Sequence, residues 1–339
     1  MSTDTTTRPS AGPFATESTG ARVLRFAIRR GPLILFAAVC VYLALASPFF
    51  LTQANILSSL EQTAPIAVVA FGLAIVVIGG GDDVVSGGID LSLPASAALA
   101  TVILSDQLTN RGAGLPQAFL LALLAALVVG LVNAVLVTVV GLSAILATLA
   151  TYVAVVGVTR VVSENRRIDV TDPAILYIRD EELLGLPVAV WIMLLVFAVV
   201  AFLVHRTRYG MNLQATGGNL DAARSAGIRT TRIVASTFVL ASVAAAVAGV
   251  LLVARGSGSS PGIDERLLVD MMLATFIGAA FSPRNVVNVL GAMLGATFVA
   301  LLSNGLVLTR VNNSWIDGWK GVLILIVVAA AALQHRERK

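Results

Sequence analysis

The chain has 339 residues, of which 57% are hydrophobic and 12% are charged, and its mean hydropathy is +0.91. This composition leaves too little polar surface for a soluble globular protein of that length and indicates an integral membrane protein. The formal net charge is +4. Because the basic residues are spread between apolar segments, they are typical of membrane topology and lipid contact, and nucleic acid is excluded as the expected partner.

Ten apolar segments predict the fold class. The hydrocarbon core of a bilayer is about 30 Å thick and a helix rises about 1.5 Å per residue, so each crossing needs about 20 residues. We expect an all-α integral membrane protein with about ten transmembrane helices in a membrane domain, 31–334, between a disordered tail, 1–30, and a short tail, 335–339. The predicted spans are Pro32–Phe50, Ala64–Gly80, Leu91–Ser105, Pro116–Val140, Ser143–Val162, Pro187–His205, Ile233–Ala254, Leu267–Phe281, Val286–Leu308 and Ser314–Leu333.

The order of the spans indicates internal symmetry in the chain. Ten spans divide into two sets of five, and the short third and eighth spans occupy matching positions. Two inverted five-helix halves would explain this, since inverted repeats place broken helices near a midplane pathway; a re-entrant segment is the alternative.

Fourteen of the 23 Lys and Arg residues lie inside if both termini are cytoplasmic, and that bias favours this orientation.

A glycine-rich acidic segment, GGGDDVVSGGID at Gly79–Asp90, follows the second span. A carboxylate at the bilayer centre costs about 2.5 to 3.5 kcal/mol on insertion scales, so these aspartates require an interface or a protein-lined cavity. Irregular backbone at membrane depth is tolerated only where it is buried or lines water. Asp90 therefore belongs to a pathway or gate element, where it could bond helix-end N–H groups, or to an interfacial loop; the loop is favoured for Asp82 and Asp83.

Polar side chains within other spans are candidates for solute contact. They could bond a solute hydroxyl, or they could join neighbouring helices, which contributes about 0.6 to 2 kcal/mol each. We take as candidate translocation-pathway residues Gly87, Gly88, Asp90, Ser92, Asn133 and Asn304.

A long connection, Ser163–Leu186, is rich in acidic residues and lies outside in the predicted topology. It could form a small cap that contacts an extracytoplasmic partner, or it could be a solvated loop without a role.

A polar segment, Gly210–Arg232, lies between two apolar spans and predicts a short helix outside the bilayer. Gly217 and Gly218 should break the chain, and Asn219 can then cap a helix over Leu220–Ala226. Gly227 is placed as its C-terminal stop. A folded polar segment of this length indicates a docking site for another protein.

The remaining features argue against catalysis. The chain has two histidines and one cysteine, Cys40, so no His-based triad, disulfide or cysteine metal cluster can be assembled within it, and there is no phosphate-binding P-loop sequence. No cofactor is expected. Trp315 and Trp319 are typical of a membrane interface, to which Lys320 should snorkel.

Three motifs carry a resemblance to a known family. The runs ATGGNLDAARSAGI at 215–228, GGIDLS at Gly87–Ser92 and LLSNGLVLTRVNNSWIDGWKGVLIL at Leu301–Leu325 resemble permease subunits of bacterial ATP-binding-cassette importers for ribose, xylose, arabinose and related sugars. Asn133-Ala134, Gly141-Leu142-Ser143 and IGAAFSPRN at Ile277–Asn285 depart from the pattern of many relatives, so ribose specificity does not follow.

The resemblance implies a function and a set of partners. It implies a multi-pass permease subunit of the bacterial cytoplasmic (inner) membrane that imports a monosaccharide or related small polar solute and has no ATPase site of its own. Its partners would be two ATP-binding-cassette ATPase subunits, a second permease subunit, identical or paralogous, an extracytoplasmic sugar-binding protein and membrane lipid. The implied coupling residues are Gly217, Gly218, Asn219, Leu220, Ala222, Ala223, Ala226 and Gly227.

Two alternatives remain open at this point. One is an ion-coupled secondary transporter in which Asp90 carries the proton or sodium ion. The other is a structural or channel protein that moves nothing actively, for which a capped polar helix has no evident use.

Overall fold

A computed structural model describes residues 34, 36–81, 88–282, 286–312 and 315–325, and these residues form thirteen helices and four two-residue strands. Both tails, residues 32, 33 and 35 of the first span, residues 314 and 326–333 of the tenth, Gly87 and the Asp82–Asp83 pair lie outside the described residues. The helices are α1 (Phe36–Ala46), α2 (Gln53–Gly80), α3 (Leu93–Thr109), α4 (Leu115–Thr138), α5 (Ala144–Ser163), α6 (Pro173–Asp180), α7 (Val188–Arg206), α8 (Arg208–Gly218), α9 (Leu220–Ser225), α10 (Thr230–Gly256), α11 (Ile263–Ala280), α12 (Val289–Leu308) and α13 (315–325).

Six of these helices, α2, α4, α5, α7, α10 and α12, are long and apolar enough to cross a membrane by length and composition. The prediction of an all-α, multi-pass membrane protein is confirmed, whereas six rather than ten described helices meet this measure. The predicted third and eighth spans correspond to α3 and α11, which have only 17 and 18 residues. An aspartate and a neighbouring glutamate open α11, so its first turn is charged rather than apolar.

The centre of the bundle is the pair α2 and α10. In the most apolar 18-residue stretch of each helix, 89% of the residues of α2 and 78% of those of α10 are buried. The corresponding shares are 22% in α5 and 28% in α7. Small residues permit this close packing: a Cβ at Gly72 of α2 would lie 3.2 Å from the Ala241 carbonyl oxygen of α10. Helices in lipid associate through such packing, since lipid chains are as apolar as the side chains. The core is therefore α2 and α10, with the outer faces of α5 and α7 exposed.

The acidic connection Ser163–Leu186 is folded. Its strand β1 (Ile168–Asp169) pairs antiparallel with β4 (Gly258–Ser259), which follows α10, and β2 (Glu182–Leu183) forms a hairpin with β3 (Leu186–Pro187). The Arg179 side chain donates to Ser257 Oγ at 2.8 Å. These contacts fix the connection as a cap over one end of the bundle, at the opposite end from α8 and α9.

Candidate functional site

The polar segment contains the helix that the sequence predicts. The Asn219 side-chain oxygen accepts a hydrogen bond from the Ala222 N–H at 2.9 Å, and α9 follows it. Gly227 has a φ of +82°, the left-handed conformation that ends helices. Asp221 lies in the first turn and Arg224 in the last, each matching the sign of the helix dipole. The predicted cap, helix and stop are confirmed.

The prediction for the two glycines before this helix is wrong. Gly217 and Gly218 do not break the chain; they are the last two residues of α8, an eleven-residue helix that the sequence analysis missed. The break falls at Asn219, whose backbone is extended. Thr207 caps α8 by accepting from the Gly210 N–H at 3.2 Å. Two glycines lower helix propensity, but tertiary contacts of α8 outweigh that cost.

These contacts join α8 to the end of α2. A Cβ at Gly217 would overlap the carbonyl oxygen of Ile78 and lie 3.3 Å from the Gly81 nitrogen. A Cβ at Gly79 would lie 2.6 Å from Leu213 Cδ1 of α8. Leu213 is itself fully buried. The segment is therefore packed firmly on the membrane-spanning core through glycines on both sides.

Only part of α9 is available to another protein. Leu220, Ala222, Ala226 and Gly227 are exposed, but Ala223 is 4% exposed and faces the chain itself. Its carbonyl also accepts from the Ile228 N–H at 3.0 Å. A bulky side chain at Ala223 would therefore disturb the position of α9 instead of testing a contact surface.

Residues 88–92 of the GGIDLS segment lie at the same end of α2 and lead into α3, which begins at Leu93. A Cβ at Gly88 would lie 2.7 Å from the Val76 carbonyl oxygen, so only glycine permits this close approach. Asp90 is 1% exposed, and one of its oxygens accepts from the Ser92 N–H at 2.9 Å and from the Ser92 hydroxyl at 2.6 Å. The expected bond between Asp90 and a helix-end N–H is present.

Ser92 connects Asp90 to a second helix. Asn133 of α4 donates from Nδ2 to Ser92 Oγ at 2.7 Å. Thr148 of α5 accepts from the Leu91 N–H at 3.1 Å, and its own hydroxyl lies 2.8 Å from the Ala144 carbonyl of α5 and 3.2 Å from the Ile89 carbonyl. We call Asp90, Ser92, Asn133 and Thr148 the polar network; it holds the start of α3 against α4 and α5.

Two amide oxygens in the described part of the chain are buried without a hydrogen-bond partner at Asn133 and Asn304. Asn304 lies on α12, and no described hydrogen bond joins it to the polar network. The structure thus brings Asp90, Ser92 and Asn133 together but leaves Asn304 separate from them.

A buried ion pair joins Lys320 to an aspartate, Asp270, that was not among the predicted site residues. Lys320 of α13 is 5% exposed, and its Nζ contacts Asp270 Oδ1 of α11 at 2.7 Å, with Asp317 at 3.9 Å. The expectation that Lys320 snorkels is wrong, because a buried carboxylate offers it a closer partner. The signal for Asp270 was present, since it is an aspartate within an otherwise apolar predicted span.

Comparison with known families decides the class of protein. The family described as "Branched-chain amino acid transport system / permease component" matches residues 55–328, which include α8, α9 and the GGIDLS segment. The chain belongs to this family. The permease is therefore a membrane component of a transport system, and the family resemblance of its motifs is confirmed.

Several individual relatives are permease proteins for sugars. The permease is 30% identical over 300 residues to the ribose import permease protein of Bacillus subtilis, covering 88% of this chain and 91% of the relative. It is 30% identical over 304 residues to the ribose import permease protein of Escherichia coli K12, covering 87% and 91%. It is 29% identical over 271 residues to the galactofuranose transporter permease protein of that strain, covering 79% and 77%.

Proposed function

We propose that this chain is the membrane-spanning permease subunit of an ATP-driven importer that translocates a monosaccharide or related small polar solute. The observation that carries the proposal is the capped and largely exposed α9 within a chain that matches sugar import permeases over most of its length. ATP hydrolysis belongs to a separate subunit. The permease works with two ATPase subunits, a second permease subunit and an extracytoplasmic sugar-binding protein.

The charge distribution supports an orientation for this assembly. Both termini and the α8–α9 end face the cytoplasm, where the ATPase subunits dock on the exposed face of α9. The cap formed by Ser163–Leu186 faces the other side, where a sugar-binding protein delivers solute. In this arrangement the chain crosses the inner membrane about ten times, with α1, α3, α11 and α13 lying in the four spans besides the six long apolar helices.

The polar residues divide into two roles along the translocation pathway. Asp90 and Ser92 are occupied with each other, which favours a supporting role for the segment that begins at Gly87 and Gly88. Asn133 and Asn304 have buried amide oxygens without a partner, which suits them to accept hydrogen bonds from solute hydroxyls. Because Asp90 is committed to the start of α3, a role as an ion carrier is disfavoured.

Affinity purification from the native membrane tests the proposal. The tagged permease, solubilised gently, should retain an ATPase subunit and show ATPase activity. Ala226→Trp, at the exposed C-cap of α9, should lose both, whereas Ala174→Trp, which is also exposed and lies on α6 in the opposite cap, should keep them. Purification of a folded wild-type permease with no ATPase would contradict the proposal.

A further inference from the structure

We propose that the last turn of α2, residues 76–81, transmits movement of α8 and α9 to the polar network at the start of α3. We call this path the relay. This inference rests on the proposed function, because it describes how the docking of an ATPase reaches the interior of the permease. It assigns positioning roles to two glycines that lie against the last turn of α2. Gly217 lies against the Ile78 carbonyl, and Gly88 lies against the Val76 carbonyl.

The first step is the contact between α8 and α2. The backbone of Gly217 lies so close to the Ile78 carbonyl that a residue with a Cβ cannot occupy position 217 without a shift of one helix. Backbone atoms cannot adopt another rotamer, as a side chain does, when the two helices move. A displacement of α8 must therefore displace the end of α2 or separate the two backbones.

The second step leads from α2 to the GGIDLS segment. The backbone of Gly88 lies against the Val76 carbonyl, and a Cβ there would also lie 3.0 Å from Gly80 Cα. Val76 and Ile78 are two residues apart. The contacts of Gly217 and Gly88 thus meet on one helical turn, and again no flexible side chain intervenes.

The third step leads into the membrane. Gly88 is separated by a single residue from Asp90, which is held by Ser92, which in turn accepts from Asn133 of α4. Thr148 of α5 accepts a hydrogen bond from the Leu91 N–H, the residue after Asp90. A shift of Gly88 is consequently passed to α4 and α5, and it moves the unpartnered amide oxygen of Asn133.

Two helical glycines provide a matched pair of variants for the test. Gly217→Ala places a methyl group on the Ile78 carbonyl, whereas a Cβ at Gly157 of α5 would meet nothing within 4 Å. Both changes replace a helical glycine with alanine, so they alter helix propensity alike. The experiment measures ATPase retention, sugar uptake in proteoliposomes, and ATP-dependent hydrogen exchange of residues 88–92 in the purified complex.

The relay predicts that Gly217→Ala retains the ATPase but loses uptake by about tenfold or more, and that residues 88–92 no longer respond to ATP. Gly157→Ala should match the wild-type protein. Normal uptake with a normal exchange response in Gly217→Ala would overturn the relay while leaving the importer intact. Absence of the ATPase from the wild-type preparation would instead overturn the proposed function, and the relay with it.

A second variant covers the case in which Gly217→Ala fails to assemble. Gly88→Ala changes the other side of the same turn and leaves the contact between α8 and α2 in place. It should bind the ATPase, hydrolyse ATP and fail to import. Full uptake by Gly88→Ala would also overturn the relay.

Discussion

Lys320 Nζ lies 2.7 Å from Asp270 Oδ1, and this pair joins α13 to α11 in the interior of the chain. Removing one member of a buried ion pair leaves an uncompensated charge and typically costs about 3 to 5 kcal/mol, whereas replacing both members can be neutral. We therefore predict that Lys320→Met and Asp270→Leu each lower the unfolding temperature of the purified protein strongly, and that the double variant recovers most of the loss.

The unfolding temperature in detergent, followed by size-exclusion chromatography, measures this effect. Trp319→Ala is a suitable control, because its side chain neighbours Lys320 and is 55% exposed. Single variants that unfold at the wild-type temperature would show that the pair contributes nothing to the packing of α13.

The cap of α9 gives a local prediction. Asn219→Ala removes the side-chain acceptor of the Ala222 N–H and should destabilise α9 by about 1 kcal/mol, whereas Asn219→Asp keeps an acceptor and should have a small effect. Hydrogen exchange of residues 220–225 should therefore be faster in Asn219→Ala only. Equal exchange in the two variants would mean that the cap does not hold the helix.

The exposed face of α9 predicts two different outcomes for alanine-to-tryptophan changes. At Ala222, which is exposed, the change should weaken ATPase binding without affecting the stability of the isolated permease. At Ala223, which is buried, it should lower that stability as well, since overpacking costs about 1 to 3 kcal/mol. The pair of measurements is ATPase retention and unfolding temperature, and identical behaviour of the two variants would contradict the orientation of α9.

Two intramembrane glycines predict contrasting tolerance. A Cβ at Gly130 of α4 would lie 2.6 Å from Ser242 Oγ and 2.8 Å from the Phe238 carbonyl of α10, whereas Gly157 of α5 has no neighbour within 4 Å. Gly130→Val should therefore separate α4 from α10 and abolish stable expression, and Gly157→Val should be accepted. Yields of monodisperse protein measure the contrast, which would vanish if α4 did not pack on α10 through this glycine.

The sequence predicted those features that depend on neighbouring residues. The cap at Asn219 and the stop at Gly227 require only a local pattern of hydrogen bonding and backbone angle, and both are present. The apolar segments likewise predicted the helices, since helix formation in lipid satisfies the backbone within the segment itself.

Features that depend on distant residues were not predictable from local pattern. The role of Gly217 is set by Ile78 on another helix, so its glycine appeared as a chain break rather than a packing contact. Lys320 was expected to reach the interface because nothing in its own segment shows that Asp270 lies beside it. For the same reason, the burial of Ala223 became visible only in the folded chain.

The most direct test of the account is uptake of radiolabelled monosaccharides, a panel that includes ribose and xylose, by proteoliposomes that contain the purified complex, its binding protein and enclosed ATP. We predict accumulation of a member of the panel that requires ATP, persists with a protonophore and is lost in Ala226→Trp. Uptake by the permease alone that follows an ion gradient and is indifferent to ATP would contradict the account and would make Asp90 the residue to examine as the ion carrier.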